Sequence, residues 1–232
     1  MDFISQFAVS LDAILGEEKD TILYLDSHTH DDVFQERTMA VVNCYPGDVR
    51  TDDKWVSVGL HPWHVNDDWQ VQLEKMRSEA SLPCVCAIGE CGLDLLRGID
   101  IDVQMECLEA QLDLACKMNK AVIIHCVRAW DRLLQVVKPT SMPNPVIIHG
   151  FRGKPELAQQ LIQKGFHLSF GEKFNAASLR LAWDKGRMWL ETDESNLSIE
   201  QIYNSASKAL SIAPTDISVP GTITSLAISA NG

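Results

Sequence analysis

The sequence predicts an α/β fold in which eight parallel strands close into a barrel with helices outside it, and three observations lead there. Eight short segments rich in Val, Ile and Leu occupy residues 22–27, 39–44, 55–60, 84–90, 121–126, 145–149, 166–171 and 187–192. Parallel strands covered on both faces read as such near-continuous apolar runs. From the fourth segment onward they alternate with helical stretches, which is the order that builds a parallel sheet. Five of the segments finish on side chains that bind metals, and enzymes with the TIM (β/α)8 barrel place their working residues at the C-terminal ends of several strands.

Taken in order, residues 2–15 can form an amphipathic helix, read here as part of an N-terminal helix within 1–20 that lies over the N-terminal end of the barrel. Between His30 and Met39, and between Tyr45 and Lys54, there is barely room for a full helix, since a parallel crossover usually needs about a dozen residues. Helices are therefore expected to be missing or short after the first two strands. Helical stretches follow at 103–118, 129–137, 155–163 and 176–183, and another starts near Ser198. Pro155 and Gly165 bracket the third of these, Pro suiting a first helical turn and Gly the position just past the end. The stretch 212–232 is rich in Ser, Thr, Ala and Ile without helical period and reads as an irregular tail. No repeat or linker interrupts the chain, so residues 1–232 read as a single domain.

The chain has 232 residues, 46% apolar and 22% charged, which is ordinary for a globular protein with a large core. No apolar run approaches the roughly 20 residues that span a bilayer. The start, Met1 to Ser5, lacks the basic residues of a secretory signal, so a cytoplasmic protein with no membrane role and no obligate protein partner is expected. In that setting the seven cysteines are expected to be reduced and buried, and Cys84-Val85-Cys86 has the wrong spacing for a zinc knuckle. The net charge of -12 argues against gripping a duplex through many phosphates, but not against a site that takes one phosphate group onto bound metal.

The five strand ends supply the chemistry. His28 and His30 are two apart on a strand and so share a face, the barrel interior. Asp26 and Ser27 just before them could orient them. His125 and His149 each follow apolar runs at equivalent positions of successive strands. One such histidine is more often a hydrogen-bonded core residue, but two in register are harder to explain that way. Glu90 ends another apolar strand, where an unpaired carboxylate costs several kcal/mol unless something positive compensates it. Asp193 raises the same question at the last strand, while Glu194 beside it reads as solvated. Four imidazoles and two carboxylates are enough for two divalent cations, and such a filled site would carry about +2. Imidazole-rich ligation suits Zn, Mn, Fe, Co or Ni better than Mg.

The blocks Asp26 to His30, Val58-Gly59-Leu60-His61-Pro62, Ile88 to Asp94, Ile124-His125-Cys126, His149-Gly150-Phe151-Arg152-Gly153 and Glu191-Thr192-Asp193 together resemble the TatD family of metal-dependent hydrolases, in that family's order. The resemblance implies a TIM barrel of the amidohydrolase superfamily and a deoxyribonuclease that cleaves phosphodiester bonds, acting on DNA ends or small nucleotides. It implies two divalent metal ions (Zn, Mn, Mg, Co or Ni). His28 and His30 would hold one and His125 and His149 the other, with Glu90 bridging and Asp193 as ligand and catalytic base. His61 matches a family histidine near the substrate phosphate, and also fits a turn residue before Pro62. Arg128 and Arg152, with Lys154 and Lys173, are candidates for phosphate contact or for solvated surface. The chain departs from the family where Arg128 falls one residue later than usual after the fifth strand, and where Glu194 to Leu197 leads quickly to the next helix. The same metal site could instead serve another ester, a lactone or an amide, or a non-catalytic metal-binding barrel.

Overall fold

The computed structural model describes residues 24–31, 38–50, 55–143 and 145–217. Within them lie eight strands in one sheet: β1 (Tyr24–Thr29), β2 (Thr38–Cys44), β3 (Val56–Val58), β4 (Val85–Asp94), β5 (Ala121–Val127), β6 (Val146–Ile148), β7 (His167–Phe170) and β8 (Met188–Leu190). They pair in sequence order, each parallel to the next. The last strand returns to the first through a parallel bridge between Thr29 and Asp193, so the sheet closes on itself. The eight expected strands are all present.

Helices follow the later strands: α1 (Trp69–Glu79), α2 (Ile101–Met118), α3 (Trp130–Val136), α4 (Pro155–Gln163), α5 (Ala176–Asp184), α6 (Ile199–Leu210) and the short α7 (Pro214–Ile217). Of the connections after the first two strands, where helices were expected to be missing or short, residues 32–37 and 51–54 lie outside the described residues, and residues 45–50 form no helix. The alternation starts one strand earlier than expected, because α1 follows β3. Its buried side chains, Trp69, Leu73 and Met76, are spaced on one face among polar neighbours. The tail also differs from expectation. Residues 214–217 are helical and Ile217 is buried in the core, where its side chain gains what the local pattern does not supply. The expected N-terminal helix at 1–20 and the tail beyond 217 lie outside the described residues.

Two apolar clusters show what each strand does. One contains strand residues with helix residues: Val122, Ile124, Val146, Ile148 and Leu168 pack against Leu108, Leu133, Leu161 and Leu179. The other consists of strand residues alone, among them Met39, Val41, Ala121, Ile123, Ile147 and Trp189, and fills the barrel interior. The two-residue period of a strand does the rest. Ala121 and Ile123 point inward, so His125 does too; Ile147 points inward, so does His149. An apolar lower layer thus supports a polar upper one.

Candidate metal centre

The seam that closes the barrel is where the site begins. The backbone N–H of Asp193 donates to His28 O at 3.0 Å, and that of His30 to Asp193 O at 3.3 Å. Three of the expected site residues are thereby fixed to one another by main chain. Asp193 adopts a left-handed backbone, φ 54°, which Asp tolerates better than most residues. Asp26 and Ser27 act on this seam rather than on the histidine rings. The Asp26 carboxylate accepts from Thr192 Oγ1 at 2.5 Å and from Thr192 N at 3.0 Å, and Ser27 Oγ donates to Leu190 O at 3.0 Å.

Glu90 is the hub. Its Oε1 lies 2.6 Å from His149 Nε2, 2.7 Å from His125 Nδ1 and 3.2 Å from His61 Nε2. Its Oε2 lies 3.4 Å from His28 Nε2 and 3.7 Å from His30 Nε2. Asp193 Oδ1 completes the ring, 3.8 Å from His28 Nε2 and 3.7 Å from His30 Nε2. The strand carrying Glu90 runs on to Asp94, so Glu90 sits inside a strand, where the sequence suggested an end. Glycines make this possible. A Cβ at Gly92 would lie 1.9 Å from His125 O, and one at Gly89 would lie 2.5 Å from Ile123 O. β4 therefore kinks and presses against β5 with a register shift between Ile88 and Cys91. Asn43 Oδ1 then accepts the Glu90 N–H at 2.7 Å and holds the hub from β2.

Three further buried carboxyls stand behind the ring. Asp94 Oδ2 faces His125 Nε2 at 3.5 Å and accepts from Trp63 Nε1 at 2.6 Å. Glu191, fully buried, faces His149 Nδ1 at 3.6 Å and accepts from Gly150 N at 2.5 Å. Asp26 is the third. Two buried glutamines one heptad apart on α2 place the loops that present this shell. Gln104 accepts from Asp94 N and donates to Ile99 O, while Gln111 accepts from Leu60 N and donates to Leu60 O, just before His61. The sequence reading missed Asn43, Gln104 and Gln111; polar residues on the covered face of an otherwise apolar helix were the available signal.

Burial alone would push the Glu90 carboxyl up, but His149, His125 and His28 around it outweigh burial and hold it below the usual carboxylate range. Burial opposes a proton on His149, yet Glu90 and Glu191 on either side raise it well above the ordinary imidazole range. Burial holds His61 low, against the pull of Glu90. Asp26 is pushed up to about 7 by burial, although hydrogen bonds from Thr192 favour its ionised form.

The arrangement suits cations. His28 is 0% exposed, and neither of its ring nitrogens has a hydrogen-bond partner; His149 Nδ1 and Glu191 Oε2 are likewise buried without one. Buried polar atoms are rarely left so. Three groups bring ligand atoms within 4.8 Å of one another: His28, His30 and Asp193; His28, Glu90 and His149; and His61, Glu90 and His125. Each offers two imidazoles and one carboxylate, donors that a divalent ion takes, and none combines His125 with His149. No cysteine enters these groups, and none of the seven is in a disulfide. Arg128, Arg152, Lys154 and Lys173 are exposed on the loops and helix starts after β5, β6 and β7, and Glu194 is exposed as expected. Among the described residues no helix is long and apolar enough to cross a membrane.

A family model described as TatD related DNase matches residues 26–199, from the first strand to the start of α6. The chain belongs to the TatD family. The 3′-5′ ssDNA/RNA exonuclease TatD of Escherichia fergusonii is 34% identical over 117 residues, which is 49% of this chain and 45% of that protein. The chain thus spans about half the length of the curated TatD relatives it matches. Two solved structures extend the likeness in fold. A TatD homologue from Escherichia coli has a TM-score of 0.67 at 20% identity, covering 89% of this chain and 96% of its own. A hydrolase of the TatD family from Entamoeba histolytica has a TM-score of 0.60 at 13% identity, covering 90% and 97%.

Proposed function

We propose that this chain is a metal-dependent phosphodiesterase that releases nucleotides from single-stranded nucleic acid; its curated relatives are named 3′-5′ ssDNA/RNA exonucleases. The observation that carries the reading is the His28 imidazole, wholly buried with both nitrogens unpartnered, inside a ring of carboxylates. His28 and His30 with Asp193 would hold one cation, His125 and His149 the other, with Glu90 shared. Mn or Zn suits this donor set. When bound, such ions lower the pKa of water and stabilise charge developing on phosphate oxygens.

The protein groups divide the remaining work by exposure. The Asp193 side chain is 31% exposed and that of Glu90 only 5%. Asp193 can reach water on the substrate side and take its proton, while Glu90 is enclosed and positions the histidines. His61 Nδ1 accepts the Trp63 backbone N–H at 3.1 Å, which assigns its remaining proton to Nε2, the atom facing the hub. That N–H faces Glu90 Oε1 at 3.2 Å, and it would have to turn from this carboxylate to meet a phosphate oxygen. Asp94 and Glu191 change one expectation. Two dications against four ionised carboxylates would bring the local charge from about +2 to near zero, so on this reading the pull on a phosphodiester comes from cations at the rim, with Arg128 and Arg152 as the candidates.

The test is the purified 232-residue chain with Mn or Zn and a single-stranded oligonucleotide, following nucleotide release. The wild type should release mononucleotides and His125→Ala should not; equal release by both would refute the reading.

A further inference from the structure

Among the described residues the exposed large apolar side chains are Tyr45, Trp63, Val71, Leu95 and Leu96. Four of the five stand on the loops after β2, β3 and β4, the mouth of the candidate centre. Single exposed apolar residues need no explanation, but a group of them at a cleft marks a binding surface.

Trp63 is the best placed. Its indole N–H is anchored on buried Asp94 at 2.6 Å, and its ring centre lies 4.7 Å from that of His61 and 5.8 Å from that of His125. The rest of the ring is open, with the residue 38% exposed. An aromatic side chain fixed at its polar edge is a rigid ledge running from the site to solvent. Its face already receives a planar group: the Arg97 guanidinium carbon lies 3.9 Å from the ring centroid. Tyr45 and His64 extend the same rim, their rings 5.0 Å apart and His64 5.9 Å from His61. Stacking faces with a cation beside a phosphate-cleaving centre are what single strands are held by, since every base has a π-face and a paired base cannot offer it.

We infer that Trp63 is a base-stacking ledge. An unpaired nucleobase next to the scissile phosphodiester stacks on the indole where the Arg97 guanidinium now lies, and Arg97 turns to the adjoining phosphate. This rests on the phosphodiesterase reading and names the side chain that selects the unpaired base.

The experiment compares, with the full Mn-loaded chain, a single-stranded oligonucleotide with its analogue whose last two residues are abasic. The readout is the ratio of their kcat/KM values, together with fluorescence-anisotropy binding of both strands to EDTA-treated protein. Wild type should favour the base-bearing strand roughly tenfold in both assays, the size of one base–aromatic stack. Trp63→Ala should bring both ratios close to one. Trp63→Phe, which keeps a ring but loses the N–H to Asp94, should retain most of the preference. A Phe variant as indifferent as the Ala variant would show that Trp63 acts only through Asp94, and a wild type without base preference would overturn the ledge. If no strand is cleaved but binding keeps its Trp63-dependent preference, the ledge stands and the phosphodiesterase reading fails.

Discussion

His28 and His167 are both hidden in the barrel, 0% and 2% exposed, yet at opposite ends and in opposite surroundings. Carboxylates face His28: Glu90 Oε2 at 3.4 Å and Asp193 Oδ1 at 3.8 Å. Donors face His167: Arg187 Nη1 lies 2.6 Å from Nε2, and Trp189 Nε1 donates to Nδ1 at 3.0 Å. An imidazole beside a guanidinium and an indole N–H has no place for a cation. One lined by acceptors, with its own nitrogens unpartnered, is complete only with one. Burial is the same; the sign of the neighbours decides whether a histidine is structural or functional.

The largest effect should come from the acceptor-lined end. Asp193→Asn keeps the side-chain shape and tolerates the left-handed backbone, but cannot take a proton. Oligonucleotide hydrolysis by this variant should fall by about 10²–10⁴-fold, while His167→Asn, measured beside it, should stay within about threefold. A comparable fall in both would erase the distinction between the ends.

Next in size is the response to cations. EDTA-treated protein given Mn or Zn at about one hundred times its dissociation constant should gain about 2.7 kcal/mol. For a domain of this size that raises Tm by roughly 5–10 °C. His28→Asn should lose most of the rise and His167→Asn should keep it. Thermal melts that ignore the metal in the wild type would break the comparison at its root.

Smaller again are the carboxylates behind the ring. Asp94→Asn and Glu191→Gln remove the charge facing His125 and His149 and leave the first ring of side chains intact. Each should weaken metal binding by about 10–100-fold, read by titration against a chelating dye. Affinity unchanged in both would mean that these groups serve only the Trp63 indole and the backbone of Leu96 and Gly150.

How far the sequence showed all this depended on whether a local pattern carried the information. Strands were visible because a buried parallel strand must be apolar throughout, and α4 falls on Pro155–Gln163 as expected because Pro and Gly mark its ends. The helix after β3 was not, because Trp69, Leu73 and Met76 are diluted by eight mostly polar neighbours. Of the six expected site residues, His125 and His149 converge because strand period forces it, Ile123 and Ile147 being inward, while His28 and Glu90 reach the ring through the register shifts in β1 and β4. The supporting shell follows no local period. That Gln104 and Gln111 face the barrel rather than water depends on which side of α2 is covered, and Asn43 meets Glu90 only because β4 kinks at its glycines.

The smallest expected effect lies at the donor-lined end, and it is a pH dependence. Burial, then the Arg187 guanidinium, push the His167 imidazole down from 6.5 to about 3. The folded state therefore refuses a proton that the unfolded chain accepts below pH 6.5. The contribution of neutral His167 is full above 6.5 and is lost progressively as pH falls toward 3, at about 1.4 kcal/mol per pH unit. At pH 5.5 it amounts to about 1.4 kcal/mol relative to neutral pH. His167→Asn removes the titration, so its denaturant stability should decline less steeply than the wild type between pH 6.5 and 4.5, whatever its stability at neutral pH. Parallel curves would mean that His167 takes up a proton in place, and that donors at this end do not exclude positive charge as the geometry requires.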